Sequence, residues 1–301
     1  MPQQHTNPSR LLPPHALDKL NRLELVARAM VEGTLTGLHR SPYHGFSSEF
    51  SEYRKYCPGD AVKQVDWVAY ARTDRYFVKQ YEEETNTRTY VMLDHSGSMG
   101  FGGPPTPKFD YARHLAAAFI YLMHRQKDAV GLFTYTDRVT SYLPAAHARL
   151  HMLKLFSRIE QLTPGGPSAA AGCFHRMAEE VHRRSIVILL SDLFDPDPAF
   201  ISGLRHFRHK GCEVILFRIL DPAEARFPYR GLVEFRDLET QETLEVESET
   251  CRADYLADLH AHTQKLKRAC GQMNIAFEAL DTGTPFVRAL LAYFHKRERL
   301  F

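Results

Sequence analysis

The run Ser185-Ile-Val-Ile-Leu-Leu190 is apolar on both faces beyond its first residue. A strand with one wet face alternates polar and apolar residues, so a strand with no polar face must be covered on both sides. Tyr90-Val-Met-Leu93 has the same character, and Ala129–Tyr135 and Cys212–Leu220 extend the series. Between these runs lie segments with helical spacing: Phe109–Arg125, with Ala112, Leu115, Ala116 and Phe119 on one face, then Ser168–Val181 and Pro198–Arg208. Buried strands alternating with helices of this length predict an α/β fold, a doubly wound and mostly parallel Rossmann-like sheet. A short strand near Val139–Leu143, a helix at Ala146–Ile159 and a hairpin around Glu239–Glu242 are also expected. A helix near Ala253–Cys270, a strand Ile275–Leu280 and a helix Pro285–Arg297 complete the chain.

The N-terminal part reads differently. After a polar, proline-containing start, Leu17, Leu20, Leu23, Val26, Met30 and Val31 recur at helical spacing and predict one helix ending near Gly33. A stretch rich in Gly, Ser, Tyr and charge then runs to about Thr87, with a turn at Pro58-Gly59-Asp60 and a strand-like alternation at Tyr76–Tyr81. The expected division is therefore residues 1–86, a helix with a β-rich extension, and residues 87–301, the sheet domain. Within the extension, Arg54 and Arg72 are of the type that pairs bidentately with Asp60, Asp66 or Glu49. Trp67, the only tryptophan, reads as a packed anchor. Arg54, Asp60, Asp66, Trp67 and Arg72 are thus candidates either for a clamp onto the sheet domain or for a partner-binding surface.

Composition removes several function classes. A formal net charge of +2 gives no default affinity for nucleic acid or anionic membrane. Five cysteines, widely spaced and without a C-x-x-C pair, read as reduced thiols and not as a disulfide frame or zinc site. The first residues carry neither a basic nor an apolar leader segment. No later segment approaches the ~20 apolar residues of a membrane span. A cytoplasmic protein is expected. His147 and His151 stand four apart on an expected helix, but no third ligand accompanies them, and a surface pair is the simpler reading.

The chemistry concentrates after two buried strands. Asp94-His-Ser96-Gly-Ser98 follows Leu93 directly, and Ser191-Asp192 follows Leu190. Open α/β sheets bind ligands at the carboxyl edge of their strands. Hard oxygens there suit Mg²⁺ or Mn²⁺. A further hydroxyl is available from Ser168, in the loop Thr163-Pro-Gly165-Gly166-Pro167-Ser168. Asp94, Ser96, Ser98, Asp192 and Ser168 are therefore the candidate metal ligands. The plainer alternative is that the two aspartates cap helices. Ser96–Gly103 also sits where a phosphate cradle would, between strand and helix, but matches neither G-x-x-x-x-G-K-[ST] nor G-x-G-x-x-G. Ser98 lacks the G-x-S-x-G context of a nucleophilic serine.

The spacing D-x-S-x-S resembles the metal-ion-dependent adhesion site of von Willebrand factor A domains. The chain as a whole resembles a bacterial and archaeal family, domain of unknown function fifty-eight, which joins a von Willebrand factor A-like domain to a distinctive upstream segment. That segment is present as Ser47-Ser-Glu-Phe50, Arg54-Lys-Tyr56-Cys-Pro-Gly-Asp60, Asp66-Trp67 and Ala71-Arg72. Leu220-Asp-Pro-Ala-Glu224 and Phe235-Arg-Asp237-x-Glu239-Thr continue the resemblance. It implies a non-enzymatic adaptor or co-chaperone working with a MoxR-type AAA+ ATPase, or another protein offering an exposed acidic residue. The implied role of the metal is to accept that carboxylate. Proline, at Pro167, stands where the resemblance expects the second-loop threonine.

Overall fold

The computed structural model describes residues 23–39, 53–55, 77–79, 87–103, 106–168, 171–194 and 198–298. Its elements in chain order are α1 (Leu23–His39), β1 (Tyr53–Lys55), β2 (Phe77–Lys79), β3 (Arg88–Asp94) and α2 (Lys108–Arg125). There follow β4 (Ala129–Tyr135), β5 (Val139–Ala146), α3 (Arg149–Glu160), α4 (Ala171–Glu180), β6 (Ile186–Ser191) and α5 (Pro198–His209). The remainder comprises β7 (Glu213–Leu220), α6 (Pro222–Arg226), β8 (Leu232–Arg236), β9 (Thr243–Glu247), α7 (Ser248–Gln272), β10 (Ala276–Asp281) and α8 (Phe286–Glu298).

Six strands form one sheet in the order β10-β7-β6-β3-β4-β5. Every neighbouring pair is parallel except β4–β5, which is antiparallel. The expected doubly wound, mostly parallel sheet is thus present. Winding begins at β3, runs outward through β4 and β5, then restarts on the other side at β6. The β3–β6 junction is the point where strand order reverses, where such sheets bind ligands.

Side chains of successive strand residues point to opposite faces. Val91, Leu93, Ile188 and Leu190 pack on one face under α1, α2, α3 and α8. Tyr90, Met92, Val187 and Leu189 pack on the other under α4, α5 and α7. This double covering is why β3 and β6 carry no polar face. At the α4–α5 crossing, a Cβ on Gly203 would collide with the Cβ of Phe174. Gly203→Ala is expected to destabilise the chain by about 1–3 kcal/mol through overpacking, read as a lower urea midpoint with an unchanged slope.

Several boundaries differ from the sequence reading. Helix α1 does not end near Gly33 but continues to His39. Gly33 is exposed, and Thr34 is buried with its hydroxyl donating to the Met30 carbonyl at 2.7 Å, so the apolar face carries on past the glycine. The helix expected from Ala146 begins at Arg149, because the edge strand β5 runs on to Ala146. His147 therefore lies outside α3, stacked on His124, while His151 Nε2 lies 2.9 Å from the Val130 carbonyl. The two histidines share no site.

The chain divides into two compact units, residues 1–40 with 87–301, and residues 41–86. Helix α1, grouped in the sequence reading with the segment up to residue 86, packs against α2 in the larger unit. In the smaller unit β1 and β2 pair antiparallel, Arg54 facing Val78 in the register. Asp60, Asp66, Trp67 and Arg72 lie outside the described residues. The described cysteines, Cys173, Cys212, Cys251 and Cys270, are all free. Among the described residues no helix is long and apolar enough to cross a membrane.

Candidate functional site

The strand ends deliver the expected residues to one point. Asp94 is the last residue of β3, and Asp192 follows the last residue of its parallel neighbour β6. Asp94 is buried, and its Oδ2 accepts a 2.6 Å bond from the Ser191 hydroxyl. Its Oδ1 accepts from the Ser96 amide at 2.9 Å, a tight turn that swings the chain away from the strand. Two residues on, the Ser96 and Ser98 hydroxyls stand 3.2 Å apart. The second loop is stitched to the first: the Gly165 amide donates to the His95 carbonyl at 2.9 Å, and the Gly97 amide to the Gly166 carbonyl at 2.8 Å. Ser168 is thereby held beside Ser98, despite the proline that precedes it.

Electrostatics reveal a partner that sequence reading missed. Lys108, in the first turn of α2, is fully buried, and its Nζ lies 2.9 Å from Asp192 Oδ2 and 2.6 Å from Glu224 Oε1. Burial alone would depress its pKa, but the two carboxylates more than offset this and raise it. Glu224 is positioned by local chemistry. Asp221 caps α6, with Pro222 at its first position, and Glu224 bonds back to the Asp221 amide as a capping box. Arg218, also fully buried, donates from Nε to the Asp192 carbonyl at 2.9 Å. A lysine opening a helix, against the helix dipole, was the available hint for Lys108. The Asp-Pro-x-Glu run was the one for Glu224.

Among the described residues Asp94, unlike Asp192, has no cationic partner of its own. Burial first, and then the charge of Asp192, push its pKa up to about 7. The buried Asp94 and Asp192 and the partly exposed Glu224 thus gather around one ion-paired cation, Lys108, with the buried Arg218 bonded to the Asp192 carbonyl. Among the described residues no three His, Cys, Asp or Glu side chains are grouped to hold a metal ion. A divalent ion here would therefore depend on the serine hydroxyls. Their spacing and the hard oxygen set fit one Mg²⁺ or Mn²⁺ beside Asp94. Asp192, already bound to Lys108, fits as a neighbouring acid better than as a full ligand.

Another unforeseen residue closes the mouth. Glu239, in the turn between β8 and β9, accepts from the Ser98 amide at 3.3 Å through Oε1 and from the Ser168 amide at 2.8 Å through Oε2. Gly97 permits this approach, because a Cβ there would lie 2.9 Å from both Glu239 Cγ and the Leu238 carbonyl oxygen. His95 is turned elsewhere, its ring nitrogens 2.8 Å from the Thr140 hydroxyl and 3.3 Å from the Thr163 carbonyl. It offers no base to either serine.

Comparison with known proteins places these features in a family. The chain is 27% identical over 286 residues to the Mycobacterium tuberculosis protein named Uncharacterized protein Rv1480, covering 93% of this chain and 89% of that one. Among solved structures it is similar to the conserved hypothetical protein BatB from Bacteroides thetaiotaomicron, at 14% identity and a TM-score of 0.49. That match covers 71% of this chain and 99% of BatB. It is also similar to the SpRpn10 VWA domain, at 12% identity and a TM-score of 0.36, over 68% of this chain and 93% of that domain. The family described as Protein of unknown function DUF58 matches residues 52–265, and the chain belongs to that family.

Proposed function

We propose that the chain is a non-enzymatic adaptor that captures an acidic side chain of a partner protein at the carboxyl edge between β3 and β6. The observation that carries this reading is the site's existing content, a carboxylate seated on the Ser98 and Ser168 amides, next to the paired Ser96 and Ser98 hydroxyls. Asp94, Ser96 and Ser98, with Ser168 and Asp192 close by, would hold Mg²⁺ or Mn²⁺. When bound, the ion supplies a positive centre to which a partner's carboxylate oxygen can bind. The chain's own residues prepare that position. Ser191 orients Asp94, Lys108 fixes and neutralises Asp192, and the Gly165 and Gly97 amide bonds keep the two loops in register.

A metal-free form of the same capture is favoured by one specific fact: the Glu239 carboxylate accepts directly from two backbone amides. A phosphate-binding reading of Ser96–Gly103 is weakened by the acids that converge there, since Asp94 and Asp192 would repel a phosphate.

The partner to try first is a MoxR-type AAA+ ATPase. Immobilised chain is expected to retain that ATPase in Mg²⁺, to release it in EDTA, and to lose it in the Ser96→Ala/Ser98→Ala double variant. Retention indifferent to both treatments would contradict metal-assisted capture at this loop.

A further inference from the structure

The β8–β9 hairpin stands apart from the main sheet, its strands pairing only with each other. Its strand residues are mostly exposed, Leu232 at 69% and Leu244 at 64%. A lone two-stranded ribbon is marginally stable, so such an element needs anchoring elsewhere. The anchor is aromatic: Phe227 packs on Tyr255 and on Phe235, the penultimate residue of β8, and Tyr229 meets Phe235 edge-on.

The tip is organised differently. Asp237 accepts from the Glu239 and Thr240 amides at 2.6 and 3.0 Å, which fixes the turn and projects Glu239 from it. Among the described hydrogen bonds of residues 237–242, those leaving the hairpin are the two that Glu239 accepts from Ser98 and Ser168. One carboxylate therefore latches the turn beyond the aromatic anchor to both loops of the candidate site.

We propose that the Ser98 and Ser168 amides form a receptor for a single carboxylate, that Glu239 is its tethered occupant, and that an acidic partner binds by displacing the hairpin tip. This rests on the reading of the loop edge as an acidic-side-chain receptor and adds its regulation. The tip also shows what the receptor accepts, a glutamate presented from a tight exposed turn. Capture is then a competition between two carboxylates, one of them at the effective concentration of a tethered group, on the order of millimolar.

The probe is acetyl-Gly-Glu-Gly-amide, with acetyl-Gly-Gln-Gly-amide as the uncharged control, titrated into the full chain and followed by NMR at the Ser98 and Ser168 amides. Glu239→Ala is expected to bind the glutamate peptide about tenfold or more tighter than wild type. Glu239→Gln, which keeps the shape of the tip, is run beside it in case the alanine variant melts early, and is expected to bind tighter than wild type to a smaller degree. Both amides should shift, and the control peptide should move neither. Equal affinity in wild type and both variants overturns the tethered occupant and leaves acidic capture standing. Binding to none of them, with faster hydrogen exchange at the two amides proving that the variants have vacated them, overturns the receptor for a partner's carboxylate and the capture reading together.

Discussion

Lys108→Met is expected to destabilise the chain by about 3–5 kcal/mol, the usual cost of stripping one partner from a buried ion pair. Three facts set the size. The ammonium is fully buried, it bonds two carboxylates at 2.9 and 2.6 Å, and those side chains are only 3% and 11% exposed. Removing it leaves Asp192 and Glu224 facing each other and Asp94 in a low-dielectric pocket. The loss should shrink in acid. Burial already raises the Glu224 pKa even with Lys108 present, so removing the lysine lets Glu224 be neutralised by a proton as pH falls. Urea unfolding at pH 8 and pH 5 reads both effects. Adding Asp192→Asn and Glu224→Gln to the lysine variant should restore part of the loss, because the uncompensated charges go with it. A loss below about 1 kcal/mol at pH 8 would place Lys108 with the weak surface pairs, and its assigned role would fail.

The second large effect concerns Asp94. Its ordinary pKa of 3.8 is raised to about 7 in the fold. Between those values the folded chain holds a proton that the unfolded chain has released. In the absence of metal, stability therefore falls as pH rises through this window, and the full penalty is present above about 7. Asp94→Asn removes the ionisable group and keeps its shape, so the metal-free variant should match or exceed the wild-type melting temperature at pH 8. A site that costs stability to keep its function commonly behaves this way. The same proton competes with metal, so Mn²⁺ uptake by wild type should weaken as pH drops from 8 to 6. Electron paramagnetic resonance of free Mn²⁺ measures this. Uptake independent of pH, or retained in Asp94→Asn, would remove Asp94 from the ligand set.

The fold was readable where local pattern and tertiary demand coincide. The apolar runs of β3 and β6 are buried on both faces, and nothing but a covered parallel sheet accommodates them. Boundaries failed where contacts override local preference. Thr34 keeps α1 going beyond Gly33, and pairing with β4 holds β5 extended to Ala146. The site divides the same way. Asp94, Ser96 and Ser98 lie within one turn, and Asp192 follows Ser191, the residue level with Asp94 on the neighbouring strand, so spacing and strand ends brought these candidates to one sheet edge. Lys108, Glu224 and Glu239 reach the site across gaps of 84, 116 and 141 residues, which no local spacing encodes. Glu224 and Glu239 did stand in runs that carried the family resemblance, but their meeting point emerges only when the sheet is wound.

Metal-assisted capture is tested most directly by a thermal melt of EDTA-stripped chain at pH 8, titrated with Mg²⁺ and with Mn²⁺, wild type beside Asp94→Asn. The account predicts a melting temperature that climbs with either ion in wild type and stays flat in the variant, since a ligand binding the folded state stabilises it in proportion to its affinity. A flat response in both proteins, or an equal rise in both, would contradict a cation held by Asp94, Ser96 and Ser98.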